Sequence, residues 1–316
     1  MKHFTSVNDV IQVNSFIEEA LELKNHPFLH QELGKNKTIG LLFFNSSLRT
    51  RLSTQKAALN LGMNVIVMNI GSEGWALEME DGSVMNGAGV EHIKDAAAVL
   101  GLYCQMIAVR CFPILTNKEE DYSEKVLRSF IAYSGVPIVS MESATLHPLQ
   151  SLADMMTISE VKNAAKPKIV LTWAPHMKAL PQVVANSFAE WTLKCGYDLT
   201  ITHPEGYELC GEFTKNATIE YNQQKALMEA DFVYVKNWSA YTDYGKVLTT
   251  DAEWMLTQEK MKVTNQAKIM HCLPVRRNLE LSDELLDGPN SLILQQAQNR
   301  EYAAQAVLKK ILETNF

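Results

Sequence analysis

The residues best suited to chemistry in this chain follow short apolar runs, and most of them recognise anions. The run "TIGLLFF" (38–44) leads into "NSSLRT" (45–50), which gathers Ser46, Ser47, Arg49 and Thr50 and then reads as a helix. Where a strand hands over to a helix, unpaired N–H groups and a partial positive charge make an anion site. The hydroxyls add donors, and Arg49 adds a planar fork shaped for phosphate or carboxylate oxygens. A structural explanation competes: Ser46 or Ser47 caps the helix, and Arg49 and Arg51 are solvated.

Three further run ends favour a site. "IAVRCF" places Arg110 at the end of an apolar run, where an unpaired guanidinium is costly to bury and points to an anionic partner. "MESATLHPLQ" supplies Glu142, His147 and Gln150, and "IMHCLPVRRN" supplies His271, Cys272, Arg276 and Arg277. His147 by itself reads as a satisfied structural histidine; beside Arg110 and the hydroxyl loop it reads as part of a site. Open α/β sheets bind ligands at this carboxyl edge.

The elements that must position these groups are legible as alternating patterns. "TIGLLFF", "NVIVMNI", "MIAVR" and "PIVSM", then "KIVLTWA", "DLTITHP", "DFVYVKN", "KIMHCLP" and "SLILQQA", read as strands with helical segments between them. Their continuous apolarity predicts parallel sheets covered by helices on both faces. The fold class is therefore α/β, with two stacked lobes, each a mostly parallel sheet between helices. We place the first domain at 1–147 and the second at 148–300, joined by a helix of about 148–164. Residues 301–316 form a C-terminal helix expected to pack back on the first domain. The Gly-rich segment 71–92, with Trp75, takes no assignment; loops of this length are commonly functional.

Composition limits what partners are possible. The 316 residues carry 29 basic and 36 acidic side chains, a net charge of −7. With no basic block, nucleic acid is not an expected partner, so an anionic ligand must be held by a local pocket. No apolar run is long enough for a signal peptide or a membrane span, and the expected location is cytoplasmic, with no membrane partner. The five cysteines are widely spaced, with no C-x-x-C pair, and suggest neither disulfides nor a metal site. No cofactor is expected: neither G-x-G-x-x-G nor the P-loop pattern occurs, which argues against a dinucleotide enzyme.

"SLRTR", "HPLQ" followed by "AD", "HCLP" and "QNRE" together resemble, in order and spacing over nearly the whole chain, the motifs of the aspartate and ornithine carbamoyltransferases. The resemblance implies that Ser47, Leu48, Arg49 and Thr50 hold the phosphate of carbamoyl phosphate. Arg110, His147 and Gln150 would hold its carbamoyl end, completed by Arg300 and the backbone of Cys272 and Leu273. Arg110, His147 and Cys272 are the implied catalytic residues. The first two would stabilise the oxyanion of a tetrahedral intermediate, and Cys272 would orient the attacking amine beside the Leu273 carbonyl. No side-chain nucleophile is needed, because phosphate can take the amine proton as it leaves. A non-catalytic metabolite-binding relative is the alternative from another class; it would lack a carbamoyl-polarising group, and none is missing here.

Departures from the ornithine enzymes bear on the amine. In those, the strand matching "DFVYVKN" precedes a Ser-Met-Gly element near an acid that grips a free α-amino group; here Lys236, Asn237 and Trp238 stand there. A lysine repels an ammonium and suits a carboxylate. The chain is most similar to the N-acetylornithine and N-succinylornithine carbamoyltransferases, and that resemblance implies acylornithine contacts at Glu142, His176, Lys236, Leu273 and Arg276. It also implies a homotrimer in which Trp75 reaches the neighbouring subunit's carbamoyl-phosphate site; a tryptophan tucked onto its own lobe is the alternative. Acetyl-using relatives carry an acidic residue where this chain has Val90, in "NGAGVEH". An acid there repels a succinyl carboxylate, so Val90 favours N-succinyl-L-ornithine. The implied pathway is arginine biosynthesis.

Overall fold

The computed structural model describes residues 1–70 and 75–316, so the first four residues of the Gly-rich segment lie outside the described residues. The chain divides into two compact units, Met1–Leu149 with Arg300–Phe316, and Gln150–Asn299. In the first unit lie β1 (Thr38–Phe43), β2 (Asn64–Asn69), β3 (Leu77–Glu78), β4 (Glu91–His92), β5 (Met106–Arg110) and β6 (Ile138–Glu142). The second holds β7 (Lys168–Trp173), β8 (Asp198–Thr202), β9 (Thr218–Glu220), β10 (Phe232–Lys236) and β11 (Lys268–Met270).

The main sheet of the first unit runs β2-β1-β5-β6 and that of the second β11-β10-β7-β8-β9, with parallel pairing throughout. Apolar runs explain both sheets: β5, β6 and β10 are buried along their whole length, as strands covered on both faces must be. At the edge, β2 is only partly covered. In each sheet the order reverses once. The chain builds β2 on one side of β1, then crosses to place β5 on the other; likewise β8 and β10 flank β7. At such a reversal the loops leaving the adjacent strands diverge and open a crevice. At these strand ends stand Ser47, Arg49 and Thr50 after β1, Arg110 closing β5, His176 after β7 and Lys236 closing β10, while His147 and Gln150 follow β6 and Cys272 and Arg276 follow β11.

Apolar packing fixes these strand ends. Leu42, Ile107, Val109, Phe130 and Ile138 lie in one buried cluster of the first unit, and Val170, Val233, Val235 and Ile269 in one of the second. Each such side chain contributes about 1.5–3 kcal/mol on burial. The helix Leu48–Asn60, which presents the hydroxyl loop, ends at Gly62 with φ +78°; a Cβ there would lie 2.2 Å from the Gln31 carbonyl oxygen, so only glycine makes this turn.

Two segments differ from the sequence expectation. "SLILQQA" is not a strand: Ser291 makes an isolated bridge to Ile269, and the terminal helix runs over Ile293–Asn315. Its inward face carries Gln296 and Asn299, both buried, which bond to Asp154 and to Thr157 and Glu160. Those polar residues interrupt the apolar stripe and hide the helical period. Within the Gly-rich segment, β3 and β4 pair over only two residues each, too short for alternation to register. All five cysteines are buried, and none is in a disulfide among the described residues. Among the described residues no helix is long and apolar enough to cross a membrane.

Candidate active site

In the first unit the hydroxyl loop, Arg110, His147 and Arg300 come together. Ser47 is the N-cap of the helix Leu48–Asn60, yet its side chain makes no capping bond. Thr50, one turn in, is buried, and its Oγ1 accepts from Arg300 Nη2 at 2.6 Å. The terminal helix thus ties Arg300 to the loop. Arg51 is spent structurally, bonding Asn69 and lying 5.1 Å over the Phe43 ring.

Arg110 is not the unpaired guanidinium that its place in the sequence suggests. Its Nε and Nη2 donate to Glu142 Oε2 at 3.0 and 2.8 Å, and its Nη1 donates to the carbonyls of Asn45 and Ser46 at 2.9 and 3.2 Å. Of the five N–H bonds of an arginine, this leaves one on Nη2 with no assigned acceptor among the described residues. Glu142, buried at the end of β6, also lies 3.7 Å from His147 Nε2. Its charge offsets the arginine and fixes the guanidinium beside the helix N-terminus.

His147 is 4% exposed, and its Nδ1 has no hydrogen-bond partner among the described residues. Burial, then the guanidiniums of Arg300, Arg110 and Arg49, holds its pKa well below the ordinary 6.5. The imidazole is therefore neutral, with a polar atom to offer a ligand. The unfolded chain takes up a proton near 6.5 and the folded one does not, so this group's contribution to stability falls as pH drops below 6.5. An NMR titration should place the His147 midpoint well below the ordinary 6.5; a midpoint near 6.5 would refute the cationic setting.

The second unit builds a different array. Lys236 ends β10, 8% exposed, and the following loop is locked by Asn237 Nδ2 to the Ala174 carbonyl and Trp238 Nε1 to the Tyr207 carbonyl, at 2.8 and 2.7 Å. After β7, His176 Nε2 accepts from Arg276 Nε at 2.9 Å, and its Nδ1 lies 2.9 Å from the Lys178 carbonyl oxygen and 3.1 Å from the Lys178 backbone nitrogen. Burial first, and then Arg276 and Lys236 against the opposing pull of the Lys178 carbonyl and Glu280, holds the His176 pKa down. Both ring nitrogens are thus engaged, and His176 orients Arg276. The Arg276 terminal nitrogens have no assigned partner among the described residues, whereas Arg277 is tied to Asp283 and Asp287 at 2.8 Å on the exposed face.

Gln150 Nε2 donates to Asp154 Oδ1 at 2.7 Å, and Gln296 Nε2 joins the same oxygen at 2.9 Å. Cys272 is buried near the Tyr234 hydroxyl, whose pKa is pushed well above its ordinary value by burial and then by the charge of Asp154. Leu273 follows with φ +58°, a left-handed backbone unusual for a branched aliphatic residue. Sequence reasoning missed Asp154 and Glu280. Asp154 stood in the "AD" step of a quoted motif, while Glu280, in "LELSD", carried no signal of its own.

Two expected residues sit on the Gly-rich segment. Trp75 Nε1 donates to Glu91 Oε2 at 2.8 Å, and its ring packs against its own unit's core. Val90 is 64% exposed, its N–H bonded to the Ala76 carbonyl at 2.8 Å.

Comparison with known proteins agrees with this division of labour. Residues 2–160 match the aspartate/ornithine carbamoyltransferase carbamoyl-P binding domain, and residues 181–311 the Asp/Orn binding domain. The chain is 53% identical over 315 residues to N-succinylornithine carbamoyltransferase of Bacteroides thetaiotaomicron, covering 99% of each chain. It is 33% identical to N-acetylornithine carbamoyltransferase of Xanthomonas campestris pv. campestris, covering 99% of this chain and 98% of that one. Among solved structures it resembles, with a TM-score of 0.92 and 32% identity over 98% of its length and 100% of the other, N-acetyl-L-ornithine transcarbamylase with one glutamate replaced by valine, complexed with carbamyl phosphate and N-succinyl-L-norvaline. Arginines gathered at a helix N-terminus in one unit, and a lysine and an arginine at strand ends in the other, fall within the two halves that these matches span, and the chain belongs to the aspartate/ornithine carbamoyltransferase family.

Proposed function

We propose that the protein transfers the carbamoyl group of carbamoyl phosphate to the side-chain amine of N-succinyl-L-ornithine, giving N-succinyl-L-citrulline and phosphate, as a step of arginine biosynthesis. The convergence of Arg49, Arg110 and Arg300 on His147 carries this reading. Three guanidinium charges against the single carboxylate of Glu142 leave an excess of two positive charges, which suits a phosphate dianion at a helix N-terminus. Ser47, Leu48, Arg49 and Thr50 hold the phosphate, and Arg110 and His147 polarise the carbamoyl oxygen. The amine nitrogen attacks the carbamoyl carbon, the tetrahedral intermediate expels phosphate as the C–O bond breaks, and the amine proton leaves with the phosphate. Positioning and charge stabilisation supply the catalysis.

Gln150, Cys272, Leu273 and Arg300 complete the carbamoyl-phosphate contacts in this reading, and Cys272 orients the amine. Lys236 and Arg276 take the carboxylates of the acylornithine, with His176 acting through Arg276. Glu142 is first the partner of Arg110; any contact with the acylornithine is made by an oxygen that can face an N–H. The protein works in the cytoplasm as a homotrimer; Trp75, which packs against its own unit's core with Nε1 on Glu91, has to leave that position to reach a neighbouring subunit's site. Leu48, Leu52 and Leu59, all exposed on one face of the helix Leu48–Asn60, supply apolar surface for such an interface.

Assaying N-succinyl-, N-acetyl- and free ornithine side by side with carbamoyl phosphate tests the substrate. We expect ureido product chiefly from the succinyl compound, and turnover of free ornithine with equal or better efficiency would refute the acylornithine reading. Val90 is the proposed acyl selector, supported by the glutamate-to-valine relative complexed with a succinyl compound. Val90→Glu is expected to lower kcat/KM for N-succinylornithine about tenfold or more by like-charge repulsion, while sparing the acetyl compound. An unchanged ratio of the two substrates would remove Val90 from selectivity.

A further inference from the structure

Glu280 is 1% exposed and has no part in the reaction as described so far. Its Oε2 lies 2.8 Å from His271 Nε2, and His271 is fully buried. The other ring nitrogen, Nδ1, accepts the Leu273 N–H at 2.9 Å. A backbone N–H only donates, so Nδ1 must carry the lone pair and Nε2 the proton. That tautomer requires an acceptor at Nε2. A carboxylate can only accept, so Glu280 enforces the arrangement. Burial raises the Glu280 pKa, but the His271 hydrogen bond, helped by the charge of Lys236, outweighs it and holds the carboxyl below its ordinary value. At its own backbone, Glu280 N–H donates to the Arg276 carbonyl at 3.0 Å. One residue therefore holds both ends of the segment 273–276.

We propose that Glu280 is a positioning residue of the amine-acceptor site: through His271 it holds the Leu273 peptide in its left-handed conformation, and through its backbone it closes the turn that carries Arg276. This rests on the proposed function, in which the Leu273 carbonyl receives the attacking amine. The strained backbone is the observation that calls for such support, since φ +58° persists in a leucine only where the surroundings over-determine it. Nothing in catalysis requires Glu280 to touch substrate. Its effect is to keep an acceptor facing Leu273 N–H, which an isosteric amide does not guarantee. A glutamine can turn its NH2 toward Nε2, reverse the tautomer and set Nδ1–H against Leu273 N–H.

The test pairs kinetics with spectroscopy on the full-length protein. In histidine labelled with nitrogen-15, wild-type His271 should show the Nε2–H tautomer, a readout that needs no variant to fold. Glu280→Gln should lower kcat for N-succinylornithine about tenfold to hundredfold, with KM for carbamoyl phosphate changed by less than about twofold, and should shift His271 toward Nδ1–H. A wild-type His271 in the Nδ1–H form, or a Glu280→Gln enzyme with wild-type kcat, overturns the inference. Wild-type protein that carbamoylates no ornithine derivative overturns the proposed function instead, so the two failures are told apart.

Discussion

Replacing Arg110 with alanine should lower kcat about a hundredfold to a thousandfold, the cost of removing one preorganised donor to a developing oxyanion. The structure adds a second consequence. Arg110 is the partner of Glu142, and both are buried; deleting one member of a buried ion pair leaves an uncompensated charge, costing about 3–5 kcal/mol. Loss of activity in Arg110→Ala could therefore be confused with loss of fold. Adding Glu142→Gln removes the stranded charge. The double variant should recover most of the lost thermal stability and none of the turnover. Substantial kcat in either protein, measured at saturating carbamoyl phosphate and N-succinylornithine, would take Arg110 out of the mechanism.

The second large effect is expected at Arg276. His176 holds its Nε, so the guanidinium approaches a ligand with its two terminal nitrogens, the geometry for a two-point bond to a carboxylate. Arg276→Ala should raise KM for the acylornithine about tenfold to a hundredfold, since hydrogen bonds to charged groups contribute about 1.5–3 kcal/mol. KM for carbamoyl phosphate should stay near the wild-type value. Arg277 is the internal control: its pairs with Asp283 and Asp287 are solvent-exposed, so Arg277→Ala should leave both constants nearly unchanged. Steady-state kinetics varying each substrate in turn separates these outcomes. Equal effects of the two substitutions would mean that general positive charge, and not an oriented fork, attracts the substrate.

In the proposed function the same arrangement selects the acceptor. Lys236 and Arg276 would then place cations where an acylated amino acid offers only carboxylates, while a free α-ammonium would be repelled. Glu280 lies in the field of Lys236 and is already engaged by His271, so in that proposal it does not offer a free ammonium the counter-charge that would welcome ornithine. On that proposal, selectivity comes from what the site repels as well as from what it binds.

How far the sequence reached depends on the range of the interaction. Each strand of the two sheets except the short β9 was visible as an apolar run, because burial on both faces imposes a continuous pattern that short windows reveal. The segment "SLILQQA" was misread because Gln296 and Asn299 face inward, where partners far away in the chain satisfy them. The cradle was legible in part as residue types at strand ends, where "NSSLRT", Arg110 and His147 stood, while Arg300, on the terminal helix, was reached only through the family resemblance of "QNRE".

What the chain by itself determined was which groups stand at the carboxyl ends of strands, since hydrophobic periodicity and local turn chemistry fix that within a few residues. Tertiary structure alone decided how those groups are occupied. Glu142 satisfies Arg110 from 32 residues away, Arg300 reaches Thr50 across 250, and His176 orients Arg276 across 100. Hydrogen-bond pairing and the shift of the His147 pKa depend on distances that strand order creates, and strand order is set by packing across the whole sheet rather than by any local stretch of sequence.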